Sequence, residues 1–309
     1  MENPVSAKDE VASLKNQVDN MVERKPFLKE TLNAFKELMI AEAELRAQLM
    51  TRPAPGMPPP DALRLSAGVP ALSDMELAPL FPDLTDGLKT MLAALKRSFP
   101  PLKKEAERLA ARVAEDPEAP AAWIRLLVRN EEDALKKWAD ELELEPASFR
   151  FALEKSLKPF LQWLAHGVAP HLEQMSWDRG YCPICGAYPD TSYLKKGEEE
   201  SEYLVAHGGR RWLHCALCSH EWRLHRIVCP YCGNEDADTL EYFSSEESPA
   251  ERLHVCHTCK KYLPCLDTSE LIEVPPADLM PFELLHLDLI AQEKGFSPMA
   301  WRHWNQLTS

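Results

Sequence analysis

The chain lacks what would direct it to a membrane, a nucleic acid or a phosphorylated cofactor. No stretch approaches 18 uninterrupted apolar residues, so no membrane insertion is expected. Met1 to Glu10 carries neither a basic patch nor an apolar run, which sets a cytoplasmic expectation. Positive charge is in deficit: 35 Lys and Arg face 49 Asp and Glu, a formal net charge of −14. Phosphate backbones are bound by clustered cations. The basic residues pair only briefly, as Lys195-Lys196, Arg210-Arg211 and Lys260-Lys261, each near acidic side chains. From Cys182 to Cys265 nine Lys and Arg stand against thirteen Asp and Glu. No nucleic-acid partner is expected. Gly-rich phosphate loops, H-E-x-x-H helices and nucleophile elbows are also missing, so nothing marks an enzyme.

Cysteine is missing from the first 181 residues as well. All nine fall between Cys182 and Cys265, and eight form four C-x-x-C pairs: Cys182/Cys185, Cys215/Cys218, Cys229/Cys232 and Cys256/Cys259. In a reducing compartment disulfides are rare and such pairs bind metal or do redox work. A metal taking four thiolates is supplied by two pairs folded together, so four pairs suggest two four-cysteine metal sites. The first and third pairs read C-P-I-C-G and C-P-Y-C-G. Gly186 and Gly233 let the chain bend so that backbone N–H groups point at the sulfurs, while Pro183 and Pro230 stiffen the approach. This is the knuckle of rubredoxins and zinc ribbons.

Local pairing puts Cys182, Cys185, Cys215 and Cys218 in site 1 and Cys229, Cys232, Cys256 and Cys259 in site 2; interleaving is the alternative. The segments inside the two units are 29 and 23 residues long, and ten residues join the units. Tetrahedral coordination by four sulfurs suits iron or zinc. A dithiol active site would need C-P-Y-C at the start of a helix in a βαβ unit; Gly233-Asn234 follows instead, with no helical pattern. Nearby histidines read as surface or supporting groups, with His214 or His257 as substitute ligands the sharper alternative. Cys265 reads as a buried structural thiol, with a reactive thiol as the alternative.

Upstream, helical stripes dominate. Apolar positions recur over 27–50, 84–98, 102–115, 120–142 and 148–166, and the Trp and Leu stripes read as core packing. Five prolines between Pro53 and Pro60 read as an extended linker or wrapping loop. The expected order is a loose N-terminus (1–24), an all-helical domain (25–175, with the proline-rich segment 51–61), a first rubredoxin-like module (176–222), a second (223–268), and a C-terminal helix and tail (269–309). Strands are expected at T-S-Y-L (191–194), E-Y-L-V (202–205), R-W-L-H (211–214) and E-W-R-L-H-R-I-V (221–228). The last helix, near 282–293, is expected to bury Phe282, Leu285 and Leu289. The fold class is α+β multidomain.

On R-G-Y-C-P-I-C-G-A-Y-P (179–189), R-W-L-H-C-A-L-C-S-H-E-W (211–222), R-I-V-C-P-Y-C-G (226–233), C-H-T-C-K-K-Y-L (256–263) and E-K-G-F (293–296), the chain resembles the FdhE family. The specific resemblance covers about 177–297. It implies a cytoplasmic, non-catalytic accessory protein that engages the catalytic subunit of respiratory formate dehydrogenase before export. It also implies iron in rubredoxin-like sites, carried by the eight paired cysteines but not by Cys265. A rubredoxin-like electron carrier acting on a client enzyme is the rival reading. A transcription-type zinc ribbon is disfavoured by the acidic charge.

Overall fold

The computed structural model describes residues 7–52, 59–77, 81–173, 175–196, 210–269 and 271–302. They form two compact units, Met1–Pro60 with Ala71–Glu173, and Asp61–Pro70 with Gln174–Ser309. The architecture is α+β, with helices through the first unit and a sheet in the second.

The first unit opens with α1 (Ala7–Arg24), where the sequence suggests a loose segment. Val11, Val18 and Met21 are buried along one side of α1, which packs on α2 (Lys29–Met50). The helical spacing of these three is easily hidden among the polar residues between them. Of the proline-rich segment, residues 53–58 lie outside the described residues. The short helix α3 (Ala62–Ser66) belongs to the second unit; Asp61 caps it by accepting from the N–H groups of Leu63 and Arg64.

Helices α4 (Phe81–Ser98), α5 (Lys103–Glu115), α6 (Ala119–Arg129), α7 (Glu132–Glu141) and α8 (Pro146–Leu172) complete the first unit. A single helix over 120–142 is not what forms. Asn130 adopts a left-handed conformation (φ 51°), which Asn tolerates better than most residues, and its N–H caps the carbonyls of Leu126 and Leu127. The break has a packing reason. Trp123 and Trp138 lie fifteen positions apart, a rise of about 22 Å in one straight helix. Folded back on two helices, their rings meet edge to face at 5.8 Å. Pro120 and Pro146 sit in the first turns of α6 and α8, where a missing N–H costs nothing.

Helix α8 is buried along most of its length and packs on α2, α4 and α7. At its crossing with α4, a Cβ on Gly87 would stand 2.4 Å from Cζ of the fully buried Phe160. A side chain is therefore excluded there by contact, not by backbone conformation.

In the second unit, β1 (Pro189–Lys195), β2 (Arg210–Cys215) and β3 (Glu221–Arg223) form an antiparallel meander. Strands β4 (Leu240–Ser244), β5 (Glu251–Cys256) and β6 (Lys261–Asp267) form another. Parallel pairing of β1 with β6, Ser192 opposite Cys265, fuses them into one sheet ordered β3-β2-β1-β6-β5-β4, and β7 (Ser297–Pro298) also pairs with β6. The expected E-Y-L-V strand lies outside the described residues, as does the tail beyond residue 302. The strand expected over 221–228 ends at Arg223. Buried Arg211 donates to the carbonyls of His225 and Val228, and these bonds hold the chain in a turn instead.

One sheet face supplies Tyr193, Leu253, Val255, Tyr262 and Leu266 to a core completed by Met280, Leu284, Leu287, Ala291 and Phe296. The C-terminal helix is two pieces, α9 (Met280–Glu283) and α10 (Leu285–Glu293). Leu284 breaks it, and the buried positions become Leu284, Leu287, Asp288 and Ala291, leaving the expected Leu289 half exposed at 51%. Asp288 is tolerated inside because the Arg302 guanidinium lies 2.8 Å away, itself buried.

Filling the Gly87 position tests the helical packing. Gly87→Ala is expected to destabilise the first unit by about 1–3 kcal/mol through overpacking. The urea midpoint of the helical circular-dichroism signal should fall; an unchanged midpoint would mean that Phe160 can step aside.

Candidate metal centres

Each C-x-x-C pair sits at a bend, those of Cys215 and Cys256 at the ends of β2 and β5, and all four bends are built alike. The residue after the second cysteine takes positive φ: Gly186 (79°), Ser219 (58°), Gly233 (72°) and Lys260 (58°). Its N–H donates to the carbonyl of the first cysteine, over 3.0 Å at Cys182, 3.2 Å at Cys215, 2.9 Å at Cys229 and 2.9 Å at Cys256. The turn leaves backbone donors facing sulfur: Ile184 N–H lies 3.4 Å from Cys182 Sγ, and Cys218 N–H 3.5 Å from Cys215 Sγ. Sequence reasoning sees the glycine knuckles and misses the other two. Their signal is positional, since Ser219 and Lys260 occupy the same place after their pairs.

The bends bring the eight sulfurs together in two groups. Cys182, Cys185, Cys215 and Cys218 form one; Cys229, Cys232, Cys256 and Cys259 form the other, with all ligand atoms in each group within 4.8 Å of one another. The nearest approaches are Cys185–Cys215 at 3.3 Å, Cys182–Cys218 at 3.6 Å, and Cys229–Cys259 and Cys232–Cys256 at 3.7 Å. These exceed the roughly 2.05 Å of a disulfide. Four sulfurs about 2.3 Å from a tetrahedral ion lie about 3.8 Å apart, so both groups have the size and donor chemistry to hold a metal. The grouping is the local one, with each group closed within its own meander.

The groups differ in exposure. All four sulfurs of the first belong to buried residues, whereas Cys232 is exposed and Cys259 partly so. Burial opposes ionisation of Cys182, but the thiols of Cys185, Cys215 and Cys218 hydrogen-bond to it and hold it well below the usual thiol range. Burial, with Cys182 and Cys215 beside them, pushes Cys185 and Cys218 well up. In the second group burial likewise opposes ionisation of Cys256, yet donors from the Cys259 and Thr258 backbone bring it down to about 7.

The surrounding residues are more structured than sequence suggests. His214 is not directed to sulfur as a ligand: it is clamped between Asp190 (Nδ1, 2.8 Å) and Asp278 (Nε2, 3.4 Å). Burial alone would lower its pKa, but the two carboxylates raise it to about 10. Ser219 Oγ donates to Asp278 over 2.6 Å, tying the second knuckle to the chain ahead of α9. His257 pairs with Glu241 at 2.8 Å on the exposed side. Cys265 is fully buried at the β1–β6 seam, and burial pushes its thiol up to about 11, away from reactivity.

The two centres are also tied to each other. Trp222 Nε1 donates to the Arg179 carbonyl over 3.2 Å, fixing the entry to the first knuckle. Beside it, a Cβ on Gly180 would stand 1.8 Å from the backbone oxygen of Pro230, inside the third pair. Tyr188 and Tyr231 lie with ring centroids 4.8 Å apart across the same junction. Tyr181 Oη donates to the Gly68 carbonyl over 2.7 Å, anchoring α3 to the first knuckle.

Two glycine substitutions separate these constraints. Gly180→Ala must displace the Pro230 backbone and is expected to cost more than about 3 kcal/mol. Gly233→Ala meets no atom within 4 Å and carries only the left-handed backbone penalty, about 1–2 kcal/mol. Thermal melts of the metal-loaded protein should rank the two in that order; equal melts would contradict the close approach at Pro230.

Comparison with known proteins agrees with this architecture. The family description "FdhE, central domain" matches residues 181–226, which contain the first group of four cysteines. The chain is 34% identical over 148 residues to an FdhE homologue of Aquifex aeolicus, 48% of each chain. It is 30% identical over 190 residues to one of Haemophilus influenzae strain PittEE, 57% of each chain. The matches thus span about half the length of these curated relatives. Across 97% of this chain and 96% of the other, the fold is similar to the crystal structure of the FdhE protein from Pseudomonas aeruginosa, with a TM-score of 0.62 at 22% identity. Its central segment, about half of its length and its fold are thus each similar to FdhE proteins.

Proposed function

We propose that each cysteine tetrad binds one metal ion, iron or zinc, and that the metal-bearing unit serves as a docking framework. The observation that carries this reading is the repeated knuckle: four like bends that close two four-sulfur groups. Cys182, Cys185, Cys215 and Cys218 would hold one ion, and Cys229, Cys232, Cys256 and Cys259 the other. Bound metal would supply the cross-links that a small sheet needs, since structural zinc is worth roughly 10–16 kcal/mol in finger peptides. This chain's residues would do the rest: backbone N–H groups orient the sulfurs, and the His214 clamp fixes the strand that delivers Cys215.

The family resemblance supports a non-catalytic accessory role in forming active respiratory formate dehydrogenase, by binding its catalytic subunit in the cytoplasm before export. No helix among the described residues is long and apolar enough to cross a membrane. A second reading, a rubredoxin-like electron carrier, is favoured by one observation. Exposed Cys232 would bring one sulfur of the second centre to the surface, where an electron could pass.

Metal content and client capture test the proposal. Anaerobically purified protein should carry two metal ions per chain, and Cys182→Ser or Cys215→Ser should lose the ion of the first centre. Unchanged metal in both variants would remove that centre. Immobilised full-length protein should retain the formate dehydrogenase catalytic subunit from cytosol; no enrichment over a blank matrix would remove the accessory role.

A further inference from the structure

Arg211 is buried, with 4% of its surface exposed, and has no carboxylate partner among the described residues. One of its terminal nitrogens donates to the carbonyls of His225 and Val228, the latter over 2.8 Å, while Nε is buried without a partner. Taking a cation out of water is costly unless a negative charge faces it. Neighbouring arginines do not supply one: Arg252 is committed to Asp267 at 2.7 Å, and Arg226 is itself a cation.

Register places Arg211 in the sheet. It stands opposite Leu194, and Leu194 stands opposite Asp267, while Cys265 stands opposite Arg252. Arg211, Cys265 and Arg252 therefore share the face turned away from the Tyr193–Tyr262 core. The carbonyl that Arg211 holds at Val228 immediately precedes Cys229, the buried sulfur with which the second tetrad begins. A neutral Cys229 offers that cation nothing, whereas a tetrathiolate centre offers net negative charge.

We infer that Arg211 is the internal counter-charge of the second metal centre, a positioning residue that fixes Cys229 and favours the centre's more negative forms. This rests on the reading that the tetrads bind metal. A ferric ion in four thiolates carries a net charge of −1 and a ferrous ion −2, so a buried cation stabilises the reduced form. The cation likewise opposes release of any divalent ion, because it stabilises the assembled thiolates.

The test uses full-length Arg211→Gln, Arg211→Lys and Arg226→Gln. Gln removes the charge while keeping a donor for the two carbonyls; Lys keeps the charge. Chelator-driven zinc release should be biphasic, the fast phase coming from the centre with exposed Cys232. Arg211→Gln should accelerate that phase about tenfold and leave the slow phase alone, with Arg211→Lys close to the original protein. In iron-loaded protein the same change should lower one of the two potentials by about 59 mV, the one-electron equivalent of tenfold. Both phases accelerating together, or Lys behaving like Gln, would make Arg211 merely structural and overturn the inference. If Arg211→Gln does not fold, exposed Arg226→Gln should still shift the fast phase in the same direction, by about twofold, and no shift would overturn it. Protein that binds no metal at all sinks the metal reading itself; two bound ions with an unresponsive fast phase sink only the role of Arg211.

Discussion

Cys182 and Cys218 approach within 3.6 Å, Cys229 and Cys259 within 3.7 Å, and a metal ion in each group would tie together the ends of two meanders. The strands are short, β3 only three residues and β4 five, and β4 keeps its side chains largely in solvent. Fusion of the two meanders through the β1–β6 parallel pair gives one core face, which α9 and α10 cover. Metal held by the sulfurs would then fix the margins of the sheet that the core does not reach. In this account the metal sites come first and the surface that a partner would see is their consequence.

The legible part of the sequence is the part that is local. The C-x-x-C spacing, the glycines after two of the pairs and the helical stripes each act within a few residues. What could not be read depends on partners distant in sequence. Asp288 looks like a solvent-facing residue of an amphipathic helix, and only Arg302 makes its burial tolerable. Trp123 and Trp138 read as one face of one helix, yet meet because Asn130 breaks it. The strand expected to run to Val228 stops early because Arg211, on a neighbouring strand, takes the carbonyls of the following turn. Ser219 and Lys260 adopt backbone conformations normally left to glycine, so residue type gave no hint of the second and fourth bends.

The two centres share a construction but not an environment. The first is enclosed and flanked by His214 between Asp190 and Asp278, a cluster that adds negative charge around the strand end. The second is open on the Cys232 side, and buried Arg211 donates to the Val228 carbonyl just ahead of Cys229. Nearby charges of opposite sign shift thiolate and metal equilibria in opposite directions. The helical unit contributes no cysteine to either.

The central claim is that all eight paired sulfurs ligate metal. X-ray absorption at the metal edge of anaerobically purified protein tests it most directly. The account predicts two ions per chain, each in a shell of four sulfurs about 2.3 Å away and no light-atom ligands. A shell of mixed sulfur and nitrogen or oxygen, or a single ion per chain, would contradict it.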